Sequence, residues 1–165
     1  MRLRLAAIVQ SAVSPALALL PGSMDSLEAR IELLAIGLQE SRFVYRVQLL
    51  NDGGRGPAHG LWQFERGGGV KGIYYHEATR HWLAALCQAR SCAFGIEAVW
   101  NALETDDVLA AGCARLLLLT DMHALPAAND AQAGWDCYER TWRPGKPHRE
   151  TWDGFHALAR AEATS

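Results

Sequence analysis

The chain predicts a mainly α fold, a single domain in which a buried central helix faces a glycine-rich loop or small β-hairpin wall. Three observations predict it. Half of the 165 residues are hydrophobic and 21% are charged, which gives one domain a sizeable core and excludes a disordered chain. Alanine and leucine dominate while β-branched residues are few, a balance that favours helix. Glycines then crowd residues 44–72, with Asn51-Asp52-Gly53-Gly54 and Arg66-Gly67-Gly68-Gly69 as the strongest turn signals. So long an irregular stretch inside a compact domain points to a built site. The net charge of -2 provides no basic field for nucleic acid. No apolar run reaches the length of a membrane span, so no stable membrane insertion is expected.

Residues 1–24 read as an N-terminal arm or helix. Arg2 and Arg4 ahead of apolar residues faintly resemble an export signal, but Gln10, Ser11, Ser14 and Pro15 interrupt the apolar region. Residues 25–43 read as the central helix. Asp25-Ser26-Leu27-Glu28 has the form of a capping box, and the helix is expected from about Ser26 to Gln39. Ile31, Leu33, Leu34, Ala35, Ile36 and Leu38 leave it almost no polar face, the mark of a buried helix. Leu33, Ile36 and Glu40 share one face. A carboxylate therefore sits at the end of an apolar stripe. Burial and the negative helix C-terminus both disfavour its charged form, which is what a general acid needs. The ordinary alternative is a solvated glutamate at a frayed helix end.

Residues 44–72 form the glycine-rich segment, with Val44 to Leu50 as a short strand or irregular piece. It holds two further acids, Asp52 and Glu65. Carboxylates facing a protonated glutamate suit glycoside cleavage, in which one acid protonates the leaving oxygen and another activates water. Asp52 suits capping of its own turn at least as well.

Residues 73–165 read as a helical bundle. Helices are expected from about Tyr74 to Arg90, from Ala93 to Leu103, from a cap at Thr105-Asp106-Asp107 to about Met122, from Asp130 to Trp142, and from Thr151 to Ala161. Pro144-Gly145 stops the fourth. His76 and His81 fall roughly 140° apart on a helix and make no metal pair. Gly67 to Gly72 lacks the Gly-Lys-Ser/Thr of a phosphate loop. No metal and no cofactor are expected. Cys87, Cys92, Cys113 and Cys137 contain no CxxC pair. Reduced thiols are the expectation, although Cys87 and Cys92 are close enough in sequence to bridge.

Gln39-Glu40-Ser41-Arg42-Phe43 followed by Gly60-Leu61-Trp62-Gln63-Phe64-Glu65 resembles the paired signature of the lysozyme-like superfamily, which includes goose-type lysozymes and lytic transglycosylases. There a Glu-Ser dipeptide ends a central helix and a Gly-Leu-Met-Gln segment comes after it; here Trp62 stands for the methionine. The resemblance covers roughly residues 30 to 70. It implies that Glu40 is the catalytic acid acting on the β-1,4 bond between N-acetylmuramic acid and N-acetylglucosamine. It implies that Ser41 helps position the substrate or the glutamate, and that Gln63, with Trp62 and His59 beside it, lies in the sugar groove. Glu65 falls where goose-type lysozymes carry an aspartate that orients water, and Asp52 lies near their other acidic position. Tyr138 is matched to the family tyrosine whose hydroxyl holds the glutamate. The surrounding Trp135, Trp142, Arg143 and Lys146 offer aromatic faces and cations to a glycan that bears acids.

The implied protein is a muramidase, monomeric, with peptidoglycan strands as its partner. It resembles a bacteriophage lysis enzyme that accumulates in the host cytoplasm and acts at the cell wall. A lytic transglycosylase forming 1,6-anhydromuramic ends, a non-catalytic glycan-binding or virion protein of the same fold, and a chitin-directed hydrolase are the alternatives.

Overall fold

The computed structural model describes the backbone of residues 1–165 and every side chain except those of Arg2 and Leu3. The architecture is mainly α-helical with one small antiparallel sheet. α1 (Arg2–Ile8), a wide helical turn over Val9–Val13 and α2 (Ser14–Ala18) form a nearly continuous N-terminal arm. Pro15 has no amide hydrogen to donate into the preceding turn, and the wide turn falls where that bond is missing. The arm is part of the core, with Leu5, Ala12, Val13, Ala16 and Leu17 buried.

α3 (Leu27–Ser41) is the central helix. Ser26 caps it, its hydroxyl accepting from the Ala29 amide at 3.1 Å. Asp25, the expected partner in a capping box, instead grips Arg30 through two bonds of 2.7 and 2.8 Å. Leu33, Leu34, Ala35, Ile36 and Leu38 are all fully buried; each large aliphatic side chain so placed contributes about 1.5–3 kcal/mol. The helix runs two residues beyond Gln39 and stops where Arg42 and Phe43 turn left-handed, with φ of 54° and 53°. That reversal lays the Phe43 ring back over Gly37. A β-carbon on Gly37 would stand 2.1 Å from the ring, so glycine lets the ring lie against the helix.

Three short strands come next: β1 (Val47–Leu49), β2 (Arg55–His59) and β3 (Phe64–Glu65), ordered β1-β2-β3. Val47 pairs with His59 and Leu49 with Arg55 across a bulge; Ala58 pairs with Glu65 and His59 with Phe64. The glycine-rich segment, expected as a loop or a small β-hairpin, thus carries a small three-stranded antiparallel sheet. The turn into β3 depends on Gly60, at φ 78°, where a β-carbon would come within 2.6 Å of the Leu103 carbonyl oxygen.

The helix expected from Tyr74 to Arg90 is divided into α4 (Lys71–Tyr75) and α5 (Arg80–Ala89). His76 leaves helical geometry at ψ 130°. The fully buried Thr79 donates its hydroxyl to the Ile73 carbonyl at 2.6 Å, satisfying an acceptor that the break exposes. His76 is thus not a helix residue, and His81 alone is. α6 (Ile96–Ala102), α7 (Asp107–Leu119), α8 (Ala131–Trp142) and α9 (Arg149–Ala163) complete the chain. Asp106 and Asp130 cap α7 and α8 through the Leu109 and Ala133 amides, at 2.9 Å each. α7, α8 and α9 pack about α3 and enclose it. All four cysteines are free thiols. Among the described residues, no helix is long and apolar enough to cross a membrane.

Candidate active site

Glu40 lies in the last turn of α3, where the buried helix opens into a cleft of about 1720 Å³. Its Oε1 accepts a 2.7 Å hydrogen bond from the Tyr138 hydroxyl on α8. Burial pushes the Glu40 carboxyl up to about 7; Tyr138 pulls in the opposite direction, and the charge of Glu65 adds to the rise. A carboxylic acid poised near neutrality can give a proton at pH 7 and take it back. Tyr138 is itself held firmly. Its ring is buried and stacks on Trp152 of α9 at 5.4 Å, and the Trp152 indole donates to the Ala131 carbonyl at 2.7 Å.

Glu65, at the end of β3, is exposed and lines the same cleft. Gln63 lines it too. It sits at φ 52° with its amide donating to the Gly60 carbonyl at 2.9 Å, so the side chain is braced by its own turn. Glu40, Gln63, Glu65 and Tyr138, drawn from α3, the β2–β3 turn, β3 and α8, therefore share one wall-to-wall space.

Four other expected site residues lie elsewhere. Asp52 accepts the Gly54 amide at 2.8 Å and caps the β1–β2 turn, outside the cleft lining; its catalytic assignment is corrected to a turn cap. Ser41 is buried and faces the protein interior. Its hydroxyl donates to the Leu61 carbonyl at 2.6 Å and accepts the Phe43 amide at 3.1 Å, stapling the helix end to the Gly60–Gln63 turn. It lies outside the cleft lining and links the helix end that carries Glu40 to the turn that carries Gln63. Trp62 is fully buried; its indole donates to the Leu33 carbonyl at 2.8 Å and its ring meets Phe43 edge-on at 5.3 Å. It is a core residue. His59 stacks on Trp100 at 3.8 Å and lies behind the sheet, with a ring nitrogen 3.1 Å from the Trp100 carbonyl oxygen.

Sequence reasoning missed the supports. Trp152 seats Tyr138, while Gln39 and Trp142 tie the helix end and the β2–β3 turn to the segment between α8 and α9. The Gln39 and Trp142 bonds span 109 and 80 residues, and the Trp152–Tyr138 stack joins two helices; no local pattern marks any of them. Among the described residues, no three His, Cys, Asp or Glu side chains gather as a metal-ligand set. Comparison of the chain with known protein families, with curated proteins and with solved structures finds no match.

Proposed function

We propose that the protein is a lysozyme-like peptidoglycan-degrading glycosidase with Glu40 as its general acid. The observation that carries the reading is the Glu40 carboxyl, held near pKa 7 by burial and bonded by Tyr138 on the lining of the cleft. Glu40 protonates the glycosidic oxygen between N-acetylmuramic acid and N-acetylglucosamine. Positive charge then grows on the departing sugar ring. Glu65, the cleft acid whose charge is felt by Glu40, orients water, since Asp52 is occupied by its turn. Gln63, whose NH2 is engaged by the Gly60 and Tyr45 carbonyls, offers its amide oxygen to a sugar hydroxyl. No metal or organic cofactor enters these steps. Cell-wall glycan is the partner, and the site of action is the wall, reached from a host cytoplasm.

The loss of Asp52 from the cleft also favours a second reading. A lytic transglycosylase needs no second acid, because the muramic acid closes on its own C6 hydroxyl. Purified peptidoglycan digested with the wild-type protein and with Glu40→Gln separates the possibilities by mass spectrometry. Reducing muramic ends that vanish in Glu40→Gln support hydrolysis. Products lighter by one water, also lost in the variant, support the transglycosylase. Absence of Glu40-dependent fragments from walls of several hosts refutes cleavage and leaves a non-catalytic glycan-binding protein.

A further inference from the structure

The segment Arg143-Pro144-Gly145-Lys146-Pro147 joins α8 to α9, and Arg143 to Lys146 line the same cleft as Glu40. Both ends are tied to the elements that build the site. At one end the Trp142 indole donates to the Trp62 carbonyl at 3.0 Å. At the other, Gln39, the residue before Glu40, donates to the His148 carbonyl at 3.0 Å and accepts from the Thr151 hydroxyl at 3.0 Å. Arg143 leaves α8 in a left-handed conformation, at φ 49°. Pro144 and Pro147 fix their own φ angles. The strap therefore has little backbone freedom to lose when something binds.

Its charges are not consumed within the protein. Arg140 is paired with Asp121 at 2.8 Å and Arg149 with Asp153 at 2.8 Å. Arg143 and Lys146 are exposed and have no carboxylate partner among the described residues; the one side-chain bond of Arg143 runs to the Arg140 carbonyl at 3.4 Å. The exposed acids of the cleft, Glu65 and Glu139, bond to neither. Arg143 lies five positions after Tyr138, about 7–8 Å along the helix axis. Two unpaired cations are thus held on a stiff strap a short step beyond the Tyr138–Glu40 contact. Of the aromatic faces expected beside them, Trp135 is in the core, while Trp142 is half-buried, lines the cleft and braces the Trp62 carbonyl through its indole nitrogen.

We propose that this strap is a carboxylate-reading subsite. Arg143 and Lys146 bind acid groups carried by the glycan, and so select an acidic amino-sugar polymer over a neutral one. The guanidinium takes a carboxylate through two parallel bonds and the ammonium adds a point charge. The acid is the lactyl ether carboxylate or a carboxylate of a peptide stem; both present the same chemistry to the strap. Exposed charges of this kind act mainly on selectivity and on the rate of encounter. The inference rests on the glycosidase reading above.

The test uses Glu40→Gln as a non-cleaving parent and adds Arg143→Ala with Lys146→Ala. Calorimetry measures the binding of three soluble probes: glycan chains with peptide stems, the same chains stripped of stems by an amidase, and neutral chitin oligosaccharides. The double substitution is expected to weaken acidic probes about tenfold at low ionic strength, with the loss shrinking as salt rises. Chitin binding stays within about twofold and certifies the fold of the variant. Loss on the stripped probe identifies the lactyl carboxylate, which is free only once the amide to the stem is cut; loss on the stem-bearing probe identifies a carboxylate of the peptide. Equal loss on chitin, or undiminished binding of every acidic probe, overturns the proposal while leaving Glu40-dependent cleavage by the wild type intact. A parent that binds none of the probes, from a wild type that cleaves no wall, refutes the glycosidase reading and the subsite with it.

Discussion

Replacing Tyr138 with phenylalanine tests the geometry around Glu40 most directly. The ring keeps its place, because it is buried and stacked on Trp152 at 5.4 Å with 14° between planes. Only the hydroxyl that donates to Glu40 Oε1 at 2.7 Å is lost. That bond favours the carboxylate over the acid and holds the pKa of Glu40 below what burial alone would set. Both protonation states can accept it, so the differential is about 1 kcal/mol, less than a whole charge-assisted bond. At 1.36 kcal/mol per pH unit, the carboxyl then moves up by ~0.5–1 unit from about 7. A general acid must be protonated, so the alkaline limb of the pH–rate profile moves up by the same amount. The plateau rate falls, by about tenfold, because the carboxyl is less well oriented. Fragment release from soluble glycan between pH 5 and 9 measures both, with carboxyl-carbon NMR of Glu40 as the check that needs no turnover. A limb that moves down, or that stays put while the NMR midpoint also stays put, refutes the assignment of Tyr138 as donor to the ionised acid.

Gly37→Ala sets a helix preference of about 1 kcal/mol for alanine against a β-carbon 2.1 Å from the buried Phe43 ring. Overpacking wins, and urea unfolding is expected to show a net loss of about 1–3 kcal/mol. Glu32→Gln acts on a fully buried carboxyl whose pKa burial raises to about 8. The stability tied to its proton is complete below the unfolded value of 4.5 and is lost as pH rises through about 8. The amide cannot ionise, so the variant gains on the wild type from pH 4.5 upward, by up to about 3 kcal/mol at pH 7, and thermal melts across pH should show that divergence. Ser41→Ala strands the Leu61 carbonyl and the Phe43 amide; a loss of about 1–3 kcal/mol is expected in denaturant titration. Asp52→Ala, at an exposed turn cap, should cost under about 1 kcal/mol and leave glycan cleavage within twofold, whereas Glu65→Gln should lower it if water is the nucleophile.

Periodicity and composition were enough to read the helical character of the chain and the burial of α3, but left the glycine-rich segment open between a loop and a small hairpin. Apolar spacing reports burial wherever a helix or strand presents one face to a core. The placement of Glu40 at the end of an apolar stripe was legible for the same reason, although Glu32, inside the same run, was not singled out. The caps at Asp106 and Asp130 were equally local, each requiring only a side chain and an amide three residues on.

Direction and partner were beyond the reach of the sequence. Asp52, His59, Trp62 and Ser41 stand near Glu40 or Glu65 in the chain, yet strand pairing and the left-handed turn after α3 aim them at their own turn, at Trp100, at Leu33 and at Leu61. A side chain one position along a strand faces the opposite side, and an αL residue reverses the path of the chain beyond it. The break at His76 depends on the buried Thr79 hydroxyl, which competes for a helix carbonyl only once the surrounding helices have packed. The Tyr138–Glu40 bond joins residues 98 positions apart, and the supports at Gln39 and Trp142 span 109 and 80. Local propensity sets which elements form. Which acid meets which hydroxyl across the cleft is decided by how α8 and α9 close on α3, because only packing brings such distant groups within hydrogen-bond reach.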